Sequence, residues 1–377
     1  MLRRRSAALA AMVLLLAAGC SEAPADPSSA DVPSTAPTAP TEPSAPPAPD
    51  SVTLLATGDV LVHQDGALTD GARQPDGSYD FTGVFAPVAG LIGGADLAIC
   101  HLETPVAAAG GPYRGYPSFA VQPEIVDALD AAGYDLCSTA SNHSLDDGFD
   151  GLTRTLDALD AAGIAHAGTH RSASASREPT IVDVGGVRIG HVAATYGLNG
   201  VPLPRGREWA VDVAAVPDLG GVLAAAARAR AAGADVVVAS LHCCREYDND
   251  PTEAQVAAVR TLLASPDVDL VLGHHAHVVQ PVERIGGEWV AYGLGNHLAE
   301  HSTQGYPTED SVAARFTFSR GADGRFTVSK AEAVPLRIEI GDDGVRIVPA
   351  DPESFTRIAG VLDRRGAVDA GLEVVPG

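Results

Sequence analysis

The sequence predicts a layered α/β domain with an antiparallel β extension on its C-terminal side, and three observations carry that expectation. From residue 51 onward, short β-branched and apolar runs alternate with Ala/Leu-rich stretches of helical spacing. Several of those stretches stop at a glycine (Gly133, Gly163, Gly233), as a left-handed C-terminal cap demands. From Val312 the text changes to alternating strands separated by Ala322-Asp323-Gly324 and Asp342-Asp343-Gly344, turn sequences typical of hairpins.

Arg3, Arg4 and Arg5 precede a small and apolar run from Ser6 to Gly19 that ends at Cys20. A basic start, an apolar run and small residues before a cut form a secretory signal over residues 1–20. The run is too short to span a bilayer, which takes roughly 20 apolar residues. Its ending, Leu16-Ala17-Ala18-Gly19-Cys20, resembles a bacterial lipobox with Ala17 where Leu is usual. That implies lipidation at Cys20, an N-terminal lipid anchor and an extracytoplasmic, membrane-held protein; the competing reading is an ordinary secretory signal followed by a chance Cys.

Residues 21–50 are Pro, Ala, Ser and Thr with almost no large apolar side chain, so they cannot offset the entropy of ordering and read as a disordered stalk. Extended as polyproline II at about 3.1 Å per residue, such a stalk lifts a domain on the order of 90 Å. The remaining chain reads as a main domain over residues 51–300 and a C-terminal β extension and tail over 301–377.

Within that domain, strands are expected at residues 52–57, 97–100, 136–139, 187–193, 236–241, 270–272 and 289–292. Helices are expected at residues 124–132, 151–162, 219–232 and 253–264. With 46% hydrophobic and 19% charged residues in 377, the chain buries a large core, which excludes whole-chain disorder and a disulfide-dense miniprotein. The 48 acidic against 25 basic residues give a net charge of −23, and removal of the three leading arginines takes it to −26. Such a balance repels phosphate backbones, so nucleic acid is not an expected partner.

Five expected strands run into a polar residue at the C-terminal end, and at the edge of an open α/β sheet that is where ligands bind. They give Asp59 and then His63; His101 and Glu103; Asn142 and His143, with Asp146 three residues on; His242; and the cluster Gly273-His274-His275-Ala276-His277. Carboxylate, amide and imidazole together suit Mn, Fe or Zn. Two adjacent ions of this kind stabilise charge developing on a phosphoryl or carbonyl oxygen. A lone strand-end His is more often a satisfied core or surface residue, and Asp59 after Gly58 could merely shape a turn. The ordered set outweighs that reading, since it would otherwise need five independent coincidences at one sheet edge.

The same stretches resemble a known family, the CapA-type poly-gamma-glutamate capsule biosynthesis proteins, related to calcineurin-like metallophosphoesterases. Leu55-Ala56-Thr57-Gly58-Asp59-Val60 is similar to the opening Gly-Asp motif. Leu102-Glu103, preceded by His101 in place of Asn, is similar to Asn-Leu-Glu, and Ser141-Asn142-His143-Ser144-Leu145-Asp146 to Asn-Asn-His-x-x-Asp. His242-Cys243-Cys244-Arg245-Glu246-Tyr247 is similar to His-Trp-Gly-x-Glu-Tyr except for the Cys pair. Gly273 to Pro281 resembles Gly-His-His-Pro-His-Val-x-Gln-Pro, and Tyr292-Gly293-Leu294-Gly295-Asn296 closes the set.

The resemblance covers residues 52–298 and implies a layered α/β sandwich of metallophosphoesterase type. It implies two divalent metal ions (Mn, Fe or Zn) held by Asp59, Glu103, Asn142, His242, His275 and His277, with His143 as the catalytic proton donor to a leaving group. Where the phosphoesterases place a His two residues after the first Asp, this chain has Leu61, so either His63 reaches around or the first metal is under-coordinated. Which two of His274, His275 and His277 ligate stays open, with the motif favouring His275 and His277. Cys243 and Cys244 read as soft ligands, a vicinal disulfide or small buried hydrophobes, the last being the default. A Cys100–Cys137 bridge is compatible with export.

Two functions follow as expectations. One is a metal-dependent hydrolase of a phosphoester or amide in a cell-envelope or capsule polymer. The other is a non-catalytic component that binds or helps export such a polymer, working with other capsule-assembly proteins. The acidic surface repels an anionic polymer unless metal or a local basic patch intervenes, and Arg114 and Arg245 are the basic residues near the motifs. The sequence contains neither a Gly-x-Ser-x-Gly elbow nor a phosphate-cradling loop ending in Lys, its single Lys being Lys330.

Overall fold

A computed structural model describes residues 49–300, 307–341 and 344–377. The expected signal, Cys20 and all but the last two residues of the expected stalk lie outside the described residues. The strands in chain order are β1 (Ser51–Val60), β2 (Leu97–Leu102), β3 (Leu136–Ser138), β4 (Ala165–Ala167), β5 (Thr180–Val184), β6 (Val187–Thr195), β7 (Val236–His242), β8 (Leu270–His274), β9 (Val282–Ile285), β10 (Glu288–Ala291), β11 (Asn296–Leu298), β12 (Asp310–Arg320), β13 (Phe326–Gly341), β14 (Gly344–Pro349) and β15 (Leu372–Val374). The helices are α1 (Ala67–Ala72), α2 (Thr82–Phe85), α3 (Ala89–Ile92), α4 (Glu124–Ala132), α5 (Gly148–Ala162), α6 (Gly220–Ala231), α7 (Glu253–Leu263) and α8 (Pro352–Leu362).

Two sheets form. The first runs β14-β13-β12-β1-β2-β3-β4, with β11 also paired to β1 and β15 to β13. Strands β1 to β4 are mutually parallel, whereas β12 pairs antiparallel with β1, so the C-terminal strands extend this sheet. The second runs β5-β6-β7-β8-β10-β9, parallel in its middle and edged by antiparallel β5 and β9.

The alternation along β1 shows how the layers are stacked. Val52, Leu54 and Ala56 join an apolar cluster with Val238 of β7, Leu272 of β8 and Phe316 of β12, which places that cluster between the sheets. Leu55 points the other way, into a cluster with Leu129 of α4 and Leu156 of α5. A third cluster packs Ala226 of α6 and Val259 of α7 on the far face of the second sheet. The chain is therefore a helix/sheet/sheet/helix sandwich, the layered α/β class expected from the sequence. Each buried Leu or Val contributes roughly 1.5–3 kcal/mol.

Helix α4 has the bounds its spacing predicts, burying Ile125, Ala128, Leu129 and Ala132 on one face. It ends where Gly133, at φ 100°, donates its N–H to the carbonyls of Leu129 and Asp130. Thr252 caps α7 by accepting from the Gln255 N–H, and Asp351 caps α8 by accepting from Glu353 and Ser354. The short helices α1 to α3 and strands β4, β5, β9 and β11 were not anticipated.

One expectation is corrected. The polar strand ends do not share a sheet edge: β1, β2 and β3 belong to the first sheet, β7 and β8 to the second. The apolar layer that joins the sheets sets their C-terminal ends side by side, so the residues converge across the sandwich.

Candidate metal centre

Asp59 is positioned by two close backbone approaches. Its N–H donates to the Gly295 carbonyl at 3.0 Å, and a side chain on Gly58 would meet that same oxygen at 1.9 Å. Only glycine fits where β1 and β11 come so close. Its carboxylate then reaches the other sheet, with Oδ1 3.1 Å from His274 Nδ1 and Oδ2 accepting the His275 N–H at 3.0 Å.

His275 and His277 both hold non-glycine backbone in the left-handed region, at φ 85° and 55°. Conformations of that kind are disfavoured and persist where the surroundings fix them. Here they turn both imidazoles from one short loop into the site. His277 Nδ1 lies 2.9 Å from Asn296 Oδ1, which fixes the ring so that Nε2 faces Glu103 Oε1 at 3.9 Å.

On the other flank, His242 Nε2 is 2.8 Å from Asn142 Oδ1 and 3.9 Å from Glu103 Oε1. The Asn142 oxygen accepts, so the two side chains are hydrogen-bonded to each other with Nε2–H donating. The Asn142 amide donates to Asn199 Oδ1 at 3.2 Å, which orients its oxygen. His242 Nδ1 is 2.9 Å from His101 Nε2, and His101 Nδ1 is 2.7 Å from Ser138 Oγ.

The structure thus brings Asp59, Glu103, Asn142, His242, His275 and His277 together in the interior. His101 stands with Asp59, Glu103 and His242, their candidate ligand atoms within 4.8 Å of one another. His63 does not join them. Its Nδ1 accepts the Glu300 N–H at 3.3 Å and its ring packs edge-on against Phe119, while Leu61 is buried in the helix-side core.

The electrostatics describe a cation-ready cavity. Glu103 is 1% exposed, and neither carboxylate oxygen has a hydrogen-bond partner among the described residues. Burial, then the charges of Asp59, Glu246 and Asp146, push its carboxyl well above the usual range. Burial would raise Asp59 too, but the His274 hydrogen bond and the surrounding imidazoles hold it down at about 2. Burial, with neighbouring His rings, pushes His101 and His242 well below the usual histidine range and His275 to about 3. Neutral imidazoles are the form in which histidine ligates a divalent ion, and a bound cation would offset the cost of ionising the buried Glu103 carboxyl.

His143 sits beside the cluster. Its Nδ1 is 2.6 Å from Asp146 Oδ2, an oxygen that also accepts the Phe119 N–H at 2.8 Å, and its ring packs edge-on against Phe119. Asp146 thereby orients the imidazole through Nδ1. Arg114 donates to Asp147 Oδ1 at 2.6 Å, a loop-to-loop tie, while Arg245 is largely exposed beside Asp248.

Cys243 and Cys244 differ from the default expectation, forming a vicinal disulfide immediately after His242. Cys100 and Cys137 are bonded across β2 and β3, the bridge the sequence reading allowed. Sequence reasoning passed over Ser138, Asn199 and Tyr196, whose ring lies 4.8 Å from His275. Asn199 is 57 residues from the side chain it supports, and no local spacing signals such a partner.

The profile described as bacterial capsule synthesis protein PGA_cap matches residues 53–301. A probable polyglutamine synthesis accessory protein of Mycobacterium tuberculosis (strain H37Rv) is 31% identical over 216 residues, 55% of this chain and 56% of that one. The PGA biosynthesis protein CapA of Bacillus subtilis is 29% identical over 227 residues, 57% of this chain and 56% of that one. The chain thus spans about half the length of the curated relatives it matches. Among solved structures, the calcineurin-like phosphoesterase YfkN of Bacillus subtilis superposes with a TM-score of 0.43 at 17% identity, over 82% of this chain and 96% of that one.

Proposed function

The chain belongs to the bacterial capsule synthesis protein family, and from that premise we propose that it is an exported, membrane-tethered, metal-dependent hydrolase of a phosphoester or amide in a capsule or cell-envelope polymer of the poly-gamma-glutamate type. The observation that carries the hydrolase reading is Glu103, a buried carboxyl with no hydrogen-bond partner among the described residues, facing His242 Nε2 and His277 Nε2 at 3.9 Å each. A charge in that position is costly unless a cation accompanies it. In this reading Asp59, Glu103, Asn142, His242, His275 and His277 hold two divalent ions of Mn, Fe or Zn. Such ions supply Lewis-acid polarisation of the scissile group and activation of an attacking water.

The chain's own residues do the rest. His143 hands a proton from Nε2 to the leaving oxygen or nitrogen, and Asp146 holds the ring in place through Nδ1. Asp59 joins the two sheets at the site and keeps the His274–His277 loop in register. Cys20 carries the lipid that tethers the mature chain, residues 21–50 act as its stalk, residues 51–300 form the hydrolase domain, and 301–377 complete it. Capsule polymer is its partner, with other assembly proteins at the membrane.

The test is a hydrolysis screen of the full chain with Mn²⁺ against a phosphomonoester, a phosphodiester and a γ-glutamyl amide. Turnover of one of them is expected, lost in Asp59→Asn and reduced about 10²- to 10⁴-fold in His143→Ala with metal content unchanged. No turnover of any, with metal bound, would move the reading to polymer binding. Tethering is tested by labelled fatty acid, which Cys20→Ser should no longer incorporate.

A further inference from the structure

Beyond the six residues assigned above, Glu246 stands at the exposed edge of the same cluster. It follows the vicinal disulfide on the loop after β7, and its Oε1 lies 3.9 Å from His275 Nε2. Candidate ligand atoms of Glu246, His275 and His277 all lie within 4.8 Å of one another, a grouping separate from Asp59, His101, Glu103 and His242. The two differ in one respect that matters: Asp59 and Glu103 are buried, whereas the Glu246 side chain is 40% exposed.

Two further observations bear on that grouping. His275 is 2% exposed, with Nε2 facing Glu246 and its other ring nitrogen, Nδ1, without a hydrogen-bond partner among the described residues. The Tyr247 N–H donates to the Ala276 carbonyl at 2.8 Å, tying the residue after Glu246 to the middle of the His275–His277 turn. The carboxylate and both imidazoles are therefore carried by two loops locked to each other, as a site needs if it is to be preorganised.

We propose that Glu246 is a metal ligand, closing with His275 and His277 a second, solvent-facing divalent-cation position that exchanges its ion while the buried position keeps its own. The inference rests on the metal-dependent reading above. Exchange follows from exposure: a position with a half-exposed carboxylate opens without unpacking the sandwich. An ion among Asp59, Glu103 and His242 leaves only if buried groups separate. The exposed position is then the one whose occupancy tracks metal supply outside the cell.

The experiment is Mn²⁺ binding to the full chain by calorimetry, with equilibrium dialysis and electron paramagnetic resonance. Wild type should bind two Mn²⁺ with distinct affinities, show a spin-coupled pair, and retain one after dialysis into metal-free buffer. Glu246→Gln should weaken the looser step by more than about 100-fold, beyond the upper end of what losing an outer-shell partner costs. It should leave the tighter step unchanged and replace the coupled signal with that of a single ion. Asp248→Asn, which removes an exposed carboxylate two residues away, should behave as wild type. If wild type binds two ions and Glu246→Gln does the same with unaltered affinities, the assignment of Glu246 is overturned while the dinuclear reading stands. If wild type binds one ion, the second position does not exist; if it binds none, the metal-dependent reading falls with it.

Discussion

His101 Nε2 and His242 Nδ1 are 2.9 Å apart, and the far nitrogen of His101 is 2.7 Å from Ser138 Oγ. A hydrogen bond between two neutral imidazoles needs one N–H and one lone pair, so this chain of groups couples the tautomers of His101 and His242. When His242 Nε2 gives its lone pair to an ion, Nδ1–H donates to His101 and His101 Nδ1–H donates to Ser138. With both nitrogens so engaged, His101 would orient His242 and would not bind the ion itself.

That assignment predicts a graded response. His101→Phe, which keeps a ring but removes both nitrogens, should weaken the tighter Mn²⁺ step by about 10- to 100-fold, and Ser138→Ala by less. His242→Ala should abolish that step. Calorimetry on the three variants decides it: equal losses in His101→Phe and His242→Ala would make His101 a ligand.

Gly58 brings β1 against β11, where a Cβ would sit 1.9 Å from the Gly295 carbonyl oxygen. Gly58→Ala should therefore push the strands apart, costing about 1–3 kcal/mol in denaturant unfolding, and should also displace Asp59 enough to weaken metal binding. A variant that loses stability yet binds Mn²⁺ as wild type would show that Asp59 is not placed by this contact.

Glu103 predicts a proton count. Burial and neighbouring carboxylates push its carboxyl well above the usual range, so it holds a proton that an incoming cation must expel. Metal binding should release a proton, and affinity should fall as the pH is lowered. Calorimetry in buffers of different ionisation enthalpy measures the release directly. Glu103→Gln should bind more weakly and release less; an unchanged proton count in that variant would assign the proton elsewhere.

His297 predicts the acid limb of stability. It is fully buried near Phe85 and Tyr134, with neither ring nitrogen hydrogen-bonded among the described residues, and burial lowers it to about 3 from 6.5. A folded-state value below the unfolded one favours folding above pH 6.5. That share is lost as the pH falls from there toward 3, because the unfolded chain takes up the proton first. Between pH 7.5 and 5 the loss from this one group is about 2 kcal/mol. His297→Leu should flatten the pH dependence of denaturant midpoints by that share, and an identical slope would refute the assignment.

The contrast between what could be read early and what could not has physical reasons. Helix α4 follows from the spacing of Ile125, Ala128, Leu129 and Ala132 and the stop at Gly133, all local signals. The residues Asp59, Glu103, Asn142, His242, His275 and His277 were visible because each ends a strand or opens the loop after it. Their distribution over two sheets was not, since strand text alone does not say which strands pair. The support of Asn142 by Asn199, and of His242 by His101 and Ser138, depends on contacts between residues far apart in sequence, 37 for His101–Ser138, 57 for Asn142–Asn199 and 141 for His101–His242. The disulfide between Cys243 and Cys244 was one of three open readings, because adjacent thiols carry the same sequence signal whether bonded or not.

The central claim is that the buried cluster around Asp59, Glu103 and His242 is a metal site. The most direct measurement is elemental analysis of the full chain purified from its host without exposure to chelator, beside His242→Ala prepared in the same way. At least one tightly held Mn, Fe or Zn ion per wild-type chain, missing from a folded His242→Ala, is the predicted result; a folded wild-type chain free of metal, and unable to take up any on incubation, would contradict it.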